Sequence, residues 1–215
     1  MARYLQDVAT DDVDDADVSG SEDHTWVLRR LAVTVHRWPR FRDSVELVTW
    51  CSATAGSAAE RRTTLSSDGD VAIESEALWA FVGADGRPAR LGAQFLARYS
   101  PHTPRRRLAT RLQHDVAPPG AVRASWPLRA IDLDVLGHVN NAVHWAAVEE
   151  VMQGSAGPGD GDAIGGGWTV EMEYRVALEA DDEPDLAVVR TEDGFACWLE
   201  CDGAVRASAR AREGT

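Results

Sequence analysis

The sequence predicts an α+β protein of two tandem domains, each a curved antiparallel sheet wrapped around a central helix. Three observations carry that expectation. Residues 168–179 alternate strictly, with Trp168, Val170, Met172, Tyr174, Val176 and Leu178 on one face and Thr169, Glu171, Glu173, Arg175 and Glu179 on the other. That two-residue period is the mark of a half-buried antiparallel strand. The chain also has two halves of similar grammar, each a helical segment followed by strand-like runs. A connector carrying Pro101, Pro104, Pro118 and Pro119 separates them and is too proline-rich for a core element. A sheet with one apolar face and an amphipathic helix bury each other best by wrapping. The boundaries expected are 1–96 for the first domain, 97–121 for a linker and 122–215 for the second domain.

The elements follow in order. Residues 3–10 place Tyr4, Leu5, Val8 and Ala9 at helical spacing, and acidic, turn-prone sequence follows to Asp23. Strands are expected over 26–36, with Leu31, Val33 and Val35 on one face, over 45–51, over 59–65, and over 71–82. The last of these puts Val71, Ile73, Ala77, Trp79 and Phe81 on one side. Turn residues separate them at Trp38-Pro39, Asp68-Gly69 and Asp85-Gly86. In the second half a strand over 122–129 leads into a turn and a helix over 139–152. A glycine-rich loop over 154–167 precedes the alternating strand, and three more strands follow at 186–190, 195–201 and 205–209.

Composition bounds the chemistry. The 215 residues are 44% hydrophobic, enough for a substantial core, and disorder throughout is excluded. Net charge is −13, lysine is absent, and seven acids gather at Asp11, Asp12, Asp14, Asp15, Asp17, Glu22 and Asp23. An acidic chain is a poor partner for nucleic acid or an anionic membrane unless its positive charge is clustered. No stretch approaches the ~20 apolar residues of a membrane span, and the start MARYLQDVATDD lacks a secretion signal. Cys51, Cys197 and Cys201 make no disulfide framework, so three buried thiols in a reducing cytoplasm are expected.

The segment richest in chemistry is RAIDLDVLGHVNNAVHWAAVEE, residues 129–150. Here a strand end carrying Asp132 and Asp134 passes through Gly137 into the expected helix, whose apolar stripe is Val139, Val143, Ala146 and Val151. Asp134, Gly137 and His138 are thus expected at a helix N-terminus, where unpaired N–H groups can hold a carbonyl oxygen as charge builds on it. Asp134 suits a general base on water or a nucleophile, and His138 suits orienting or exchanging protons, so acyl transfer to water is the chemistry suggested. Capping by Asp134 and packing by His138 is the alternative on the residues alone. A metal site from Asp132, Asp134, His138 and His144 is disfavoured, because the six-residue gap between the histidines turns them to different sides of a helix. No cofactor is called for.

The run D-L-D-V-L-G-H-V-N-N, with Glu150 nine residues after Asn141, resembles the signature of the acyl-ACP thioesterases, hydrolases with two hot-dog domains in one chain. The likeness extends to R-R-L, R-W-P-R and V-T-W within 26–50, to Arg61, Leu78-Trp79 and Gly86-Arg87-Pro88, and to Met172-Glu173-Tyr174-Arg175. It implies cleavage of a fatty acyl thioester on acyl carrier protein, or on coenzyme A, to free fatty acid in cytoplasmic fatty acid biosynthesis. It further implies catalytic roles for Asp134 and His138, substrate contacts around Gly137, Val139, Asn140 and Asn141, and a first domain that shapes the acyl tunnel. Trp79 and Trp145 are candidates for its wall, against ordinary core packing. Three departures stand out: Leu136 replaces an Asn, the later catalytic Glu falls on Ala177 with Glu179 nearby, and His144 replaces a Tyr. They leave a non-catalytic acyl-binding protein as the alternative. By the same resemblance, residues 3–10 correspond to the second part of a helix segment that follows an opening strand. That strand is expected upstream of Met1, the alternative being a member that has lost it. An acidic carrier calls for a basic face, for which Arg37, Arg40 and Arg42, or Arg105, Arg106 and Arg107, are candidates, and a homodimer is possible.

Overall fold

The computed structural model describes residues 2–15, 24–100, 108–134, 137–154 and 167–214. The chain divides into two compact units, Arg3–Val33 with Pro39–Leu112, and Thr34–Trp38 with Gln113–Thr215. Arg105, Arg106, Arg107, Leu136 and most of the glycine-rich loop lie outside the described residues.

The first unit begins with helix α1 (Ala2–Asp15) and continues through strands β1 (His24–Val35), β2 (Val45–Ala55), β3 (Ala58–Ser67) and β4 (Asp70–Gly83) to helix α2 (Ala93–Tyr99). Its strand order is β2-β3-β4-β1. Leu31, Val33 and Val35 of β1 are buried, as the alternation requires, and Leu28, out of phase with them, is buried on the other face. In β4 the expected face breaks: Ile73 and Phe81 are buried, but so is Leu78, while Val71 is exposed. A bulge takes Val71 out of phase, since Ser66 pairs with Val71 and Leu65 with Ile73, leaving Ala72 as an extra residue, whereas Leu78 is on the opposite face, where it packs with Ala53, Ala58 and Leu108. Ser52 is likewise extra in β2, between Cys51 opposite Arg61 and Ala53 opposite Glu60. Each bulge flips the two-residue period and bends the strand, which curves the sheet. Helix α1 buries Leu5 and Ala9, four residues apart on one face. Its Asp12 carboxylate receives Arg61 Nη2 at 2.6 Å and the Tyr99 hydroxyl at 2.7 Å, tying α1 to β3 and α2. Burial, and then the bond to Asp12, pushes the Tyr99 hydroxyl up to about 12.

The second unit contains β5 (Val122–Ser125), a single 3₁₀ turn (Ala130–Asp132), helix α3 (His144–Gln153), and strands β6 (Trp168–Tyr174), β7 (Asp185–Thr191), β8 (Gly194–Cys201) and β9 (Ala204–Glu213). The order β6-β9-β8-β7-β5 is antiparallel at every pairing. Helix α3 buries His144, Ala147, Val148, Val151 and Met152. That stripe is displaced from the expected one because the helix starts five residues later than the sequence suggested. Strand β5 is also shorter than expected, ending at Ser125.

Two further expectations are corrected. The alternation of β6 stops at Tyr174, so Val176 is exposed, and Glu173 on the polar face is fully buried. The described crossover is largely exposed, but it is tied down at one point: Gln113 and His114 donate their N–H groups to Glu173 at 2.5 and 3.0 Å. The His114 ring lies between Ser208 Oγ at 3.0 Å and Glu171 Oε1 at 3.1 Å, and Trp198 Nε1 donates to the Asp115 carbonyl. A carboxylate replaces water as the acceptor for a chain crossing the sheet face, so both can be buried. The three cysteines are free and buried, and burial raises the thiol of each.

Candidate functional site

The motif forms a tight reversal rather than a helix start. Leu133 bridges Val139, the Asp134 N–H donates to the His138 carbonyl at 2.8 Å, and Gly137 donates back to the Asp134 carbonyl at 3.1 Å. Gly137 has φ +81°, a conformation side chains resist, so a glycine is required where the chain turns. One Asp134 carboxylate oxygen accepts the His138 backbone N–H at 3.1 Å.

The helix comes later because Asn140 builds a second turn. Its Oδ1 accepts the Ala142 N–H at 2.9 Å, and its carbonyl accepts the Val143 N–H at 2.8 Å. This side-chain mimicry of a backbone turn is the usual preference of Asn. The N–H groups expected to hold a carbonyl oxygen are therefore engaged. Gly137 and His138 donate to Asp134, Val139 to Leu178, and Asn140 to the Asp132 carbonyl.

The two motif carboxylates do different work. Asp132 is buried and accepts the Arg129 backbone N–H at 2.9 Å and its Nη2 at 2.9 Å. The Arg129 side chain holds the Asp132 carboxyl below the usual range. Asp132 thus closes the 3₁₀ turn, leaving Asp134 as the motif carboxylate placed beside His138.

Glu179 completes the cluster, and the sequence reading had placed it off position. After β6 ends, the chain returns so that Leu178, fully buried, accepts from Val139, and Glu179 bridges His138. Glu179 Oε1 comes within 3.5 Å of His138 Nε2, with side chains 56% and 41% exposed, so the pair is reachable from solvent. The signal available was Leu178: an apolar residue that must be buried beyond the end of the strand pins its neighbour.

Behind the turn lies an aromatic support. Trp145 Nε1 donates to the Tyr174 hydroxyl at 2.9 Å, which in turn donates to the Asn141 carbonyl at 3.2 Å. His144 packs edge-on against the Tyr174 ring, and burial pushes its imidazole down to about 4, so it is uncharged near neutrality. Trp145 is thus a positioning element here. Trp79, the other candidate wall residue, lines a cavity in the first unit.

Each unit is a curved antiparallel sheet with a helix, so the fold is that of two tandem hot-dog domains. Residues 1–99 match the family model described as the acyl-ACP thioesterase N-terminal domain. Over those residues the chain is similar to the acyl-ACP thioesterase family. The 12:0-ACP thioesterase of Umbellularia californica superposes with a TM-score of 0.79 at 18% identity, covering 98% of this chain and 87% of that one. An acyl-ACP thioesterase of Bacteroides thetaiotaomicron gives the same values. In sequence, an uncharacterised protein of Mycobacterium tuberculosis is 28% identical over 153 residues, 71% of this chain and 61% of that protein. The chloroplastic acyl-[acyl-carrier-protein] hydrolase FATB1 of Cuphea viscosissima is 27% identical over 139 residues, 60% of this chain and 33% of its own length. The chain thus spans less than two thirds of these relatives. Among the described residues no helix is long and apolar enough to cross a membrane.

Proposed function

We propose that this chain is a cytoplasmic thioesterase that hydrolyses a fatty acyl thioester, carried on acyl carrier protein or coenzyme A, to free fatty acid and carrier thiol. The observation that carries the reading is the gathering of Asp134, His138 and Glu179 by one backbone reversal, in a chain whose first 99 residues match that family's N-terminal domain. Asp134 takes a proton from water as the water oxygen adds to the thioester carbonyl carbon. The carbon–sulfur bond then breaks, and His138, steadied by Glu179, returns a proton to the departing thiolate. Gly137 and Val139 shape the turn against which the thioester lies, and Asn140 and Asn141 set the entry to α3. The first unit forms the acyl-chain site and the second the reacting centre.

An acidic carrier protein needs a basic face. Arg40 and Arg42 flank Phe41, which is 91% exposed with the Arg42 guanidinium 5.4 Å from its ring centre. A KM that rises with salt for carrier-protein substrates, and not for coenzyme A thioesters, supports docking there.

The test is thiol release from acyl carrier protein and coenzyme A thioesters of increasing chain length, with wild type and Asp134→Asn. We expect the variant to lose about 100- to 10,000-fold in kcat/KM, the usual contribution of a positioned acid–base group. Equal rates would remove Asp134 from the mechanism. Acyl-chain binding without thiol release at any length would make the protein a binding module, the reading that Leu136 and Ala177 favour.

A further inference from the structure

Glu179 meets His138 at 3.5 Å with both side chains about half in solvent. An exposed pair of that length contributes too little to fix a flexible glutamate in one place. What sets its position acts on its backbone. The loop that carries Glu179 away from β6 is fastened at its start by the Arg206 carbonyl of β9, which accepts the Arg175 N–H at 2.8 Å and the Val176 N–H at 3.3 Å. Further on, Leu178 is fully buried and its carbonyl accepts the Val139 N–H at 2.8 Å. Beyond Glu179 the fastening is Asp182.

One Asp182 oxygen, Oδ2, accepts the Glu179 N–H at 2.9 Å, and the Asp182 N–H donates back to the Glu179 carbonyl at 3.3 Å. The other oxygen, Oδ1, faces the sheet. It accepts the Cys201 thiol of β8 at 3.4 Å and lies 3.6 Å from Arg206 Nη2 of β9. The Glu179 N–H first, and Cys201 and Arg206 after it, hold the Asp182 carboxyl below the usual range. Ionised, it has acceptor sites for all of these donors at once. Its side chain is 14% exposed, against 56% for Glu179, so the sheltered acid is the fixed end and the exposed one is what it carries.

We infer that Asp182 is a positioning residue: its carboxylate fastens the Glu179 backbone to β8 and β9 and so keeps the Glu179 side chain against His138. The catalytic use of that placement rests on the thioesterase reading, whereas the fastening itself does not. A misplacement of about 1 Å can lower a rate on the order of 100-fold. Here the loss is bounded by what Glu179 itself contributes, no more than about tenfold.

The full chain with Asp182→Ala, which removes both oxygens, and with Asp182→Asn, which keeps an acceptor for the Glu179 N–H, tests this. By amide hydrogen exchange, Glu179 is expected to exchange about five- to tenfold faster in Asp182→Ala, with the amides of β8 and β9 within about twofold of wild type. Asp182→Asn is expected to restore most of that protection. The His138 ring resonances should move in Asp182→Ala as they move in Glu179→Gln. In thioester hydrolysis, Asp182→Ala is expected to lower kcat by about three- to tenfold with KM within about twofold. In a Glu179→Gln background it should have no further effect, because both changes cut the same link. Unchanged exchange at Glu179, acceleration spread across β8 and β9, unmoved His138 resonances, or a rate loss that adds to that of Glu179→Gln overturns the inference. Local acceleration with moved His138 resonances, in a protein that cleaves no thioester, upholds the positioning and sinks the catalytic reading alone. Turnover that Asp182→Ala leaves untouched sinks the positioning role alone.

Discussion

The two units use the same architecture and differ in what precedes and surrounds the helix. In the first, the polar groups around α1 are spent on internal ties, Asp12 to Arg61 and Tyr99, and a cavity lies beneath the helix. In the second, the helix is delayed to His144, and the reversal before it brings Asp134, His138 and Glu179 together half-exposed. The helix and sheet of each unit supply rigidity. The chemistry proposed above lies in the connection between elements, as expected when function sits on loops held by a scaffold.

The same contrast runs through two buried glutamates, and it is the first place to break the comparison. Glu60 satisfies neighbouring side chains, Ser52 and Arg62. Glu173, fully buried, instead holds the backbone N–H groups of Gln113 and His114 on the crossover, with Arg175 3.5 Å away. Removing it takes the acceptor from two backbone donors, that of His114 buried, so Glu173→Ala is expected to cost about 2–5 kcal/mol. Glu60→Ala leaves Ser52 its contact with the residue-60 carbonyl and is expected to cost about 1–3 kcal/mol. Urea denaturation of both variants checks the order. Equal losses would mean the crossover is held by its apolar contacts and not by the carboxylate.

A second difference is pH. The second unit buries a neutral His144, whose imidazole is pushed down to about 4 by desolvation. Unfolding exposes it to its ordinary value near 6.5, so between those values the unfolded chain binds more protons. Stability is therefore expected to fall as pH drops from about 6.5 towards 4, by on the order of 3 kcal/mol for this group. His144→Gln should flatten that slope while lowering stability near neutrality. An unchanged acid slope in denaturant melts would show that other groups carry it.

Much of this was legible in the sequence. The strands emerged from two-residue alternation, and the turns from Asp-Gly pairs, because both are local consequences of side-chain placement. Bulges were not legible: nothing in the composition of β4 announces that Ala72 is unpaired, since register depends on the partner strand. The buried Glu173 was hidden for the same reason, its partners lying some sixty positions away in sequence. At the candidate site, the spacing put Asp134 and His138 side by side, as they are, but the helix start was misplaced. The apolar stripe from Val139 fits a helix, and Asn140 overrides it with a turn.

Glu179 is the finest test of whether a shifted carboxylate serves the proposed centre in place of the one absent at Ala177. Its pair with His138 is 3.5 Å long and largely in solvent, so Glu179→Gln is expected to change stability by less than about 1 kcal/mol. If Glu179 steadies the imidazole during proton return, the same substitution lowers kcat/KM, by no more than about tenfold for an interaction of that size. The loss should be greatest in low salt, because screening already weakens the exposed pair in the wild type. Asp134→Asn in the same background gives the reference for a fully disabled centre. A Glu179→Gln protein that matches wild type in melting and in rate at every salt concentration would make this glutamate a bystander. His138 would then work without a carboxylate partner, and the difference between the two units would rest on Asp134 and His138 alone.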